Sequence, residues 1–192
     1  ILTESLTGFG KAHSDIIKIN LSPDFIYRAK ENKEDKVAVI SGGGSGHEPL
    51  HGGFVGYGML DAACPGQIFS APTPDQMEAA ANRVHSGKGI LFIIKNYSGD
   101  IMNFEMSTDM IEFDNATVVV NDDVAVEDST FTTGRRGVAA TVLVEKIVGS
   151  KIIKDVVEFI PGVDSSDREA ARADIKADIA RKATEIARIA FT

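Results

Sequence analysis

The residues best suited to chemistry lie in one glycine-rich segment, residues 41–53, which follows the apolar run Val37–Ile40. A backbone rich in glycine can approach a ligand closely and can adopt positive φ angles. The N–H groups of such a segment can cradle polar oxygens. His47 lies within it and is a candidate proton carrier, because imidazole titrates near neutral pH. The pattern predicts a binding site here, with His51 better suited to a structural role.

Two further polar segments, residues 95–100 and 121–123, each follow an apolar run. In an open parallel sheet, ligands bind beyond the carboxyl ends of the strands. Lys95 at such an end needs a carboxylate or a ligand oxygen to offset its burial. Asp100 fits two roles equally, a helix N-cap or a general base held near His47. We therefore expect the three segments to surround one small cavity.

Other charged residues near these strand ends have simpler interpretations. Asp122 and Asp123 fit a solvated turn better than a cation site. Arg135 and Arg136 stand near a predicted helix start, where a phosphate site, an ion pair or a subunit contact would explain them equally. Two histidines four residues apart can share a zinc ion only on a helix with a third ligand nearby, and Pro49 argues against that helix. No metal site is predicted.

The elements that must position these residues alternate between strands and helices. The predicted strands are residues 37–40, 62–69, 89–95 and 116–121, of which 62–69 is weak because Pro65-Gly66 interrupts it. The predicted helices are residues 1–20, with a loop at their end, 73–85, 100–113 and 133–148. Thr73 and Pro74 suit the start of the second helix. This alternation predicts an α/β domain over residues 1–150, with a mostly parallel sheet flanked by helices.

Residues 151–192 differ from the rest of the chain. Residues 166–169 (Ser-Asp-Arg-Glu) resemble a capping box. After them, small and branched apolar residues recur at helical spacing among charged ones, at Ile175, Ile179, Ala183, Ile186 and Ala190. This pattern predicts a C-terminal amphipathic helix, packed on its own domain or on a partner subunit.

Composition excludes several classes of function. The 192 residues carry a net charge of −8 with scattered basic residues, which argues against nucleic-acid binding. No apolar run approaches the roughly 20 residues of a membrane span. The single cysteine, Cys64, cannot form an internal disulfide and is expected to pack inertly. We therefore expect a cytoplasmic protein that contacts neither nucleic acid nor membrane.

Four stretches together resemble the dihydroxyacetone-binding subunit of dihydroxyacetone kinases. They are residues 41–51 (SGGGSGHEPLH), 64–76 (CPGQIFSAPTPDQ), 93–104 (IIKNYSGDIMNF) and 132–144 (TTGRRGVAATVLV). The first and third are highly specific, and the resemblance covers residues 1–150. It implies a protein that holds dihydroxyacetone while a partner presents the phosphoryl donor. That donor is either bound ADP that is rephosphorylated in place, as in the phosphotransferase-linked version, or ATP.

The resemblance also implies the roles of individual residues. His47 and Asp100 match the residues that handle protons during transfer. The positions that match contacts with the triose are Gly44, Ser45, Gly46, His47, Lys95 and Asp100. This chain is expected to bind no cofactor of its own, with the nucleotide and Mg²⁺ on the partner subunit or domain. The family further implies a homodimer.

The sequence departs from the family in one respect. The family uses a further downstream histidine, whose ring forms a hemiaminal with the substrate carbonyl, and no histidine follows His85 here. The chain is thus expected to be an N-terminal fragment of a longer subunit or a shortened paralogue. In either form we expect this chain by itself to bind the triose poorly. The sequence does not predict whether it turns over the substrate alone.

Two alternative functions are kept beside the kinase subunit. The family includes paralogues that keep the pocket and act as triose sensors, engaging a transcription regulator. A nucleotide-binding oxidoreductase is the third hypothesis, based only on the glycine-rich segment. That segment lacks the G-x-G-x-x-G spacing that leads into a helix in dinucleotide-binding folds, so we expect no dinucleotide affinity.

Overall fold

The structure is a computed structural model that describes residues 1–30, 36–126, 129, 132 and 134–155. The helices are α1 (Leu2–Ala12), α2 (Pro74–Val84), α3 (Ser98–Met110) and α4 (Ala140–Asp155), with a short 3-10 helix at Gly52–Phe54. The strands are β1 (Ile17–Leu21), β2 (Asp24–Arg28), β3 (Ala38–Ser45), β4 (Ala62–Ile68), β5 (Ile90–Lys95) and β6 (Asn115–Val120).

The strands form one six-stranded sheet in the order β1-β2-β4-β3-β5-β6. Strands β4, β3, β5 and β6 are parallel to one another, whereas β1 and β2 form an antiparallel hairpin whose second strand runs antiparallel to β4. The predicted α/β fold is confirmed. The parallel strands all end at one side of the sheet, which we call the carboxyl edge.

Alternating residues of the central strands pack against different helices. On one face, Val39 and Ile93 join a buried cluster with Leu6 of α1 and Val144 of α4. On the other, neighbouring residues of the same strands join side chains from α2 and α3, including Met77 and Phe104. Because side chains of a strand point alternately to opposite faces, an uninterrupted apolar run is the pattern expected of a sheet covered on both sides.

The predicted N-terminal helix is too long. Helix α1 ends at Ala12, and β1 and β2 follow where the sequence predicted helix and loop. The hairpin forms because Ile17, Phe25 and Ile26 bury their side chains in the core clusters. Each of these strands has only five residues, so its alternating apolar pattern is too short to be distinguished from the helical spacing that precedes it.

The glycine-rich segment begins as a strand rather than a loop. Strand β3 continues from Ala38 to Ser45, and Gly42, Gly43 and Gly44 pair with β4. Strand β4 in turn runs through Pro65, where an interruption was predicted. Proline is tolerated there because β2 pairs only with the start of β4, at Ala62 and Ala63, which leaves the other side of Pro65 unpaired by β2.

The later helices agree with prediction in number but differ at their ends. Helix α2 has the predicted start, with the Gln76 side chain accepting the backbone N–H of Thr73 at 2.9 Å. Helix α3 begins at Ser98, two residues before the prediction, and α4 begins at Ala140 instead of residue 133. The start of α4 is delayed because Gly137 packs closely on the backbone of Lys95 and Val120. The predicted C-terminal amphipathic helix lies outside the described residues.

Among the helices of the described ranges, none has both the length and the apolar character needed to cross a bilayer.

Candidate functional site

His47 lies just beyond β3 at the carboxyl edge, and its side chain is exposed. Its Nδ1 is 2.9 Å from the carbonyl oxygen of Gly44. A carbonyl oxygen only accepts hydrogen bonds, so Nδ1 carries the proton and Nε2 is left with a free lone pair. This tautomer can take a proton from a ligand hydroxyl at Nε2.

An aromatic ring fixes the position of His47. The rings of His47 and Phe69 meet edge to face, with centroids 5.4 Å apart. Phe69 has a φ of 54°, which is unusual for a bulky residue. A Cβ at Gly46 would come within 2.6 Å of the Phe69 ring, and Gly46 itself has a φ of 103°. Glycine is therefore required at position 46 by the backbone angle.

Lys95 and Asp100 are both buried, and they lie on either side of the short connection between β5 and α3. Lys95 is the last residue of β5, and Asp100 stands in the first turn of α3. Burial raises the pKa of Asp100 to about 6, an effect that the positive charge of Lys95 and the nearby His47 oppose. Burial likewise lowers the pKa of Lys95, against the attraction of Asp100 and Glu145. The predicted trio of His47, Lys95 and Asp100 thus shares one electrostatic environment.

The N-cap role considered for Asp100 is not observed. The N-cap residue of α3 is Tyr97, and no side chain caps the helix start. Asp100 lies three residues further on, where its negative charge interacts favourably with the amino end of the helix dipole. The carboxylate is therefore free for a role in the site.

Two of the predicted triose-binding residues also hold the strands together. The Ser45 hydroxyl donates to the carbonyl oxygen of Gly66 at 2.6 Å, which ties β3 to β4. A Cβ at Gly44 would lie 2.8 Å from the backbone nitrogen of Ser70, so the two chain segments approach closely there. These contacts set the shape of the backbone around His47.

A buried network near Lys95 was not predicted from the sequence. His51 is 4 % exposed, and its Nδ1 lies 2.6 Å from Oε1 of Glu145 and 3.0 Å from the hydroxyl of Ser41. The Ser41 hydroxyl also lies 2.7 Å from the carbonyl oxygen of Ile93, to which it donates. The available signal was Glu145 itself, a carboxylate within the apolar run 138–148 that is fully buried in the fold.

The network holds His51 in one protonation state. Burial lowers the pKa of His51 in spite of the opposing influence of Glu145, which favours the neutral ring. Since Nδ1 faces the carboxylate, Nδ1 carries the proton and Nε2 has the lone pair. Nε2 has no hydrogen-bond partner among the described residues.

The aspartates after β6 have structural roles that correct the predicted solvated turn. Asp122 is buried and accepts the backbone N–H groups of Val138 at 2.6 Å and Ala140 at 2.9 Å, which anchors the start of α4. Asp123 forms an ion pair with Arg136 at 2.7 Å, and this pairing lowers the pKa of Asp123. The ion-pair interpretation of Arg136 is therefore the one observed.

Two other kinds of site can be checked against the described part of the chain. Within it, no group of three or more His, Cys, Asp or Glu side chains is placed to hold a metal ion. The glycine-rich strand leads into a turn and the short 3-10 helix Gly52–Phe54, whereas dinucleotide binding requires a long helix starting at such a segment. The buried Cys64 has a raised pKa and suits packing.

Comparison with known proteins gives a consistent result. The family model described as the Dak1 domain matches residues 7–157. The chain is 52 % identical over 153 residues to the dihydroxyacetone-binding subunit DhaK of the PEP-dependent dihydroxyacetone kinase of Escherichia coli, covering 78 % of this chain and 43 % of the relative. It is 53 % identical over 154 residues to the corresponding PTS-dependent subunit of Lactococcus lactis, covering 78 % and 46 %. The chain thus spans less than half the length of these relatives.

Solved structures show the same similarity. The dihydroxyacetone kinase of C. freundii in complex with AMP-PNP and Mg²⁺ superposes with a TM-score of 0.75 at 33 % identity, covering 97 % of this chain and 32 % of that one. The dihydroxyacetone kinase operon co-activator Dha-DhaQ superposes with a TM-score of 0.73 at 33 % identity, covering 89 % and 51 %.

Proposed function

Because the chain belongs to the Dak1 domain family, we propose that it is the dihydroxyacetone-binding part of a dihydroxyacetone kinase. In this role it holds dihydroxyacetone while a nucleotide-carrying partner transfers a phosphoryl group to give dihydroxyacetone phosphate. The observation that carries the proposal is His47: its Nδ1–H is committed to Gly44, which leaves the Nε2 lone pair free, and its ring acts electrostatically on Asp100.

The proposed chemistry follows from these three side chains. A primary hydroxyl is a poor nucleophile, and His47 Nε2 takes its proton as the hydroxyl oxygen bonds to phosphorus and the bond to the nucleotide oxygen breaks. Lys95 donates to a triose oxygen, and Asp100 accepts from a hydroxyl once it has lost its own proton. With a pKa of about 6, Asp100 is mostly ionised at neutral pH. The remaining acceleration comes from alignment of donor and acceptor.

The remaining proposals concern the nucleotide, the phosphoryl donor and the assembly of the protein. We assign the nucleotide, ADP or ATP with Mg²⁺, to the partner, supported by the C. freundii kinase complex with AMP-PNP and Mg²⁺. The names of the bacterial relatives support a phosphotransferase-linked donor. We further propose a cytoplasmic homodimer in which residues 1–150 form the triose-binding unit and residues 151–192 a separate segment with an amphipathic helix.

The test is a phosphoryl-transfer assay with the intact subunit, its nucleotide-carrying partner and dihydroxyacetone. His47→Ala and Asp100→Ala should each lower the rate on the order of 10²–10⁴-fold, the usual cost of losing an acid–base group. His85→Ala is the matched control, because His85 stacks on Phe113 near the opposite edge of the sheet. Near-normal turnover in either site variant would reject the proton-transfer role of that residue.

A sensor function is the second candidate, favoured by the similarity to the co-activator structure. The same pocket could bind the triose and report it to a transcription regulator. Among the solved structures, the co-activator and the C. freundii kinase are equally similar to this chain at 33 % identity, whereas the relatives at 52 % and 53 % identity are kinase subunits. A pull-down with the intact protein distinguishes the two, because the kinase function requires capture of a nucleotide-carrying subunit and the sensor function requires capture of a DNA-binding regulator.

A further inference from the structure

The side chain of His51 has one hydrogen-bonding atom whose role the fold does not explain. Its Nδ1 is committed to Glu145, but its Nε2 is buried and without a partner among the described residues. A buried acceptor without a partner destabilises the fold, so a ring held in this orientation needs a compensating use. His51 lies ten residues from Ser41, and 94 from Glu145, both of which orient it.

The nearest donor to consider is the ammonium group of Lys95. A Cβ built on Gly43 would lie 3.1 Å from Lys95 Nζ and 3.4 Å from His51 Nε2, so both atoms face the same space beside that glycine. By addition of these two distances, the atoms are at most about 6.5 Å apart. Hydrogen-bond contact between them requires the end of Lys95 to move, which its flexible four-carbon side chain permits.

Chemistry favours this pairing. An ammonium group has three N–H donors and no acceptor, whereas the neutral ring of His51 offers Nε2 as an acceptor. The charges that surround Lys95 come from Asp100 and Glu145, both attractive, and His51 itself adds no charge while neutral. With one donor on His51 and one toward Asp100, Lys95 keeps a third for a ligand oxygen.

We propose that His51 is a positioning residue for Lys95: the ring, oriented by Glu145 and Ser41, accepts a hydrogen bond from Lys95 Nζ and aims the ammonium group at the triose. The triose part of this inference rests on the proposed function. His51 does not touch the substrate in this role and acts only through the lysine. The glycine at position 43 keeps the space between the two side chains open.

The first measurement follows Lys95 without any ligand. The Nζ and ε-CH₂ resonances of Lys95 are titrated by NMR in the wild type, in His51→Leu and in His51→Gln. Loss of the acceptor destabilises the charged lysine, so His51→Leu should lower its pKa by about one unit or more. His51→Gln, whose amide oxygen can accept in place of Nε2, should titrate close to the wild type. A lysine titration unchanged in His51→Leu would overturn the inference.

The second measurement is dihydroxyacetone affinity, titrated by NMR in the same three proteins. His51→Leu should bind about tenfold more weakly, the effect of one misplaced charged hydrogen bond, and His51→Gln should recover most of the loss. A role in packing alone predicts the opposite order, since leucine fills the buried space and glutamine brings an extra polar group. His85→Leu, at the opposite edge of the sheet, controls for loss of a histidine.

The two measurements separate this inference from the proposed function. No binding of dihydroxyacetone by the wild type, even at ligand concentrations far above millimolar, would overturn the proposed function and the aiming of Lys95 at the triose. The lysine titration would still decide whether His51 positions Lys95. Normal wild-type binding with equal affinity in all three proteins would overturn only the role of His51. Amide spectra of each variant verify that it is folded.

Discussion

At the scale of single residues, the site contains polar groups that the fold does not satisfy for its own stability. Asp100 is buried although its side chain does not cap helix α3. Burial raises its pKa to about 6. His51 and Glu145 each leave one polar atom unpaired in the interior. Such groups lower the free energy of unfolding, and they are typical of positions kept for ligand binding or catalysis.

The raised pKa of Asp100 predicts a pH-dependent stability. The folded pKa of about 6 exceeds the ordinary value of 3.8, so the folded state binds more protons than the unfolded state between these pH values. The wild type therefore loses stability as pH rises through this window, and the loss persists above pH 6. Asp100→Asn escapes this loss, so its stability relative to the wild type should rise by on the order of 2 kcal/mol from pH 4 to pH 7.

Urea unfolding at the two pH values measures this difference. Asp75→Asn is the control, since Asp75 is also a first-turn aspartate, on α2, but is exposed. Its stability relative to the wild type should change little between the two pH values. An Asp100→Asn difference that is the same at both pH values would contradict a buried carboxyl at this position.

At the scale of elements, the end of β3 combines two kinds of glycine. Gly42 lies against the backbone of β4, where an added Cβ would come within 2.7 Å of the Cys64 carbonyl oxygen. Gly43 faces the flexible end of Lys95 and the ring of His51 on the site side. Side chains at neighbouring positions of a strand point to opposite faces of the sheet. Gly42 is therefore needed for packing on one face, whereas Gly43 leaves space for the site on the other.

This difference predicts opposite outcomes for two alanine substitutions. Gly42→Ala should destabilise the fold by about 1–3 kcal/mol, since the backbone that it meets cannot move aside. Gly43→Ala should preserve stability but weaken dihydroxyacetone binding on the order of tenfold by filling the space beside Lys95. Urea unfolding and NMR titration of both variants test this. Equal losses of stability would show that both glycines are required only for packing.

The connection between β6 and α4 yields a second prediction at this scale. Asp122→Ala removes the acceptor of two backbone N–H groups at the start of α4, which should lower the free energy of unfolding by about 1–3 kcal/mol. Asp123→Ala is the matched control, because it loses the ion pair with the 37 % exposed Arg136, a kind of pair that contributes little, and a long backbone contact from Ala125 N–H at 3.2 Å. Chemical denaturation should show the larger loss for Asp122→Ala, and the reverse order would refute the anchoring role.

At the scale of the whole molecule, the site is assembled at the carboxyl edge from elements distant in sequence. His47 follows β3, Lys95 ends β5, Asp100 stands in the first turn of α3, and Glu145 comes from α4. The parallel strands bring their ends together, and α4 packs on the same face of the sheet as α1. The chain spans less than half the length of these bacterial relatives.

Ligand affinity of the 192-residue chain is the prediction for the whole molecule. Hydrogen bonds to the triose each contribute only about 0.5–1.5 kcal/mol net, because water competes for the same groups. We therefore expect dissociation constants no tighter than about millimolar for dihydroxyacetone, with little preference over glycerol. Calorimetry with both ligands measures this. Micromolar binding of dihydroxyacetone alone would indicate a nucleophile attacking its carbonyl, with Lys95 the first candidate.

The sequence by itself determined the fold class and the central strands, and it predicted the trio His47, Lys95 and Asp100 as the candidate site. These depend on local signals, namely apolar runs, cap residues and motif identity, which a short window contains. The tertiary structure alone decided the β1–β2 hairpin, the anchoring role of Asp122 and the pairing of His51 with Glu145. Those features depend on contacts between distant parts of the chain, 94 residues apart for His51 and Glu145, which no local pattern encodes.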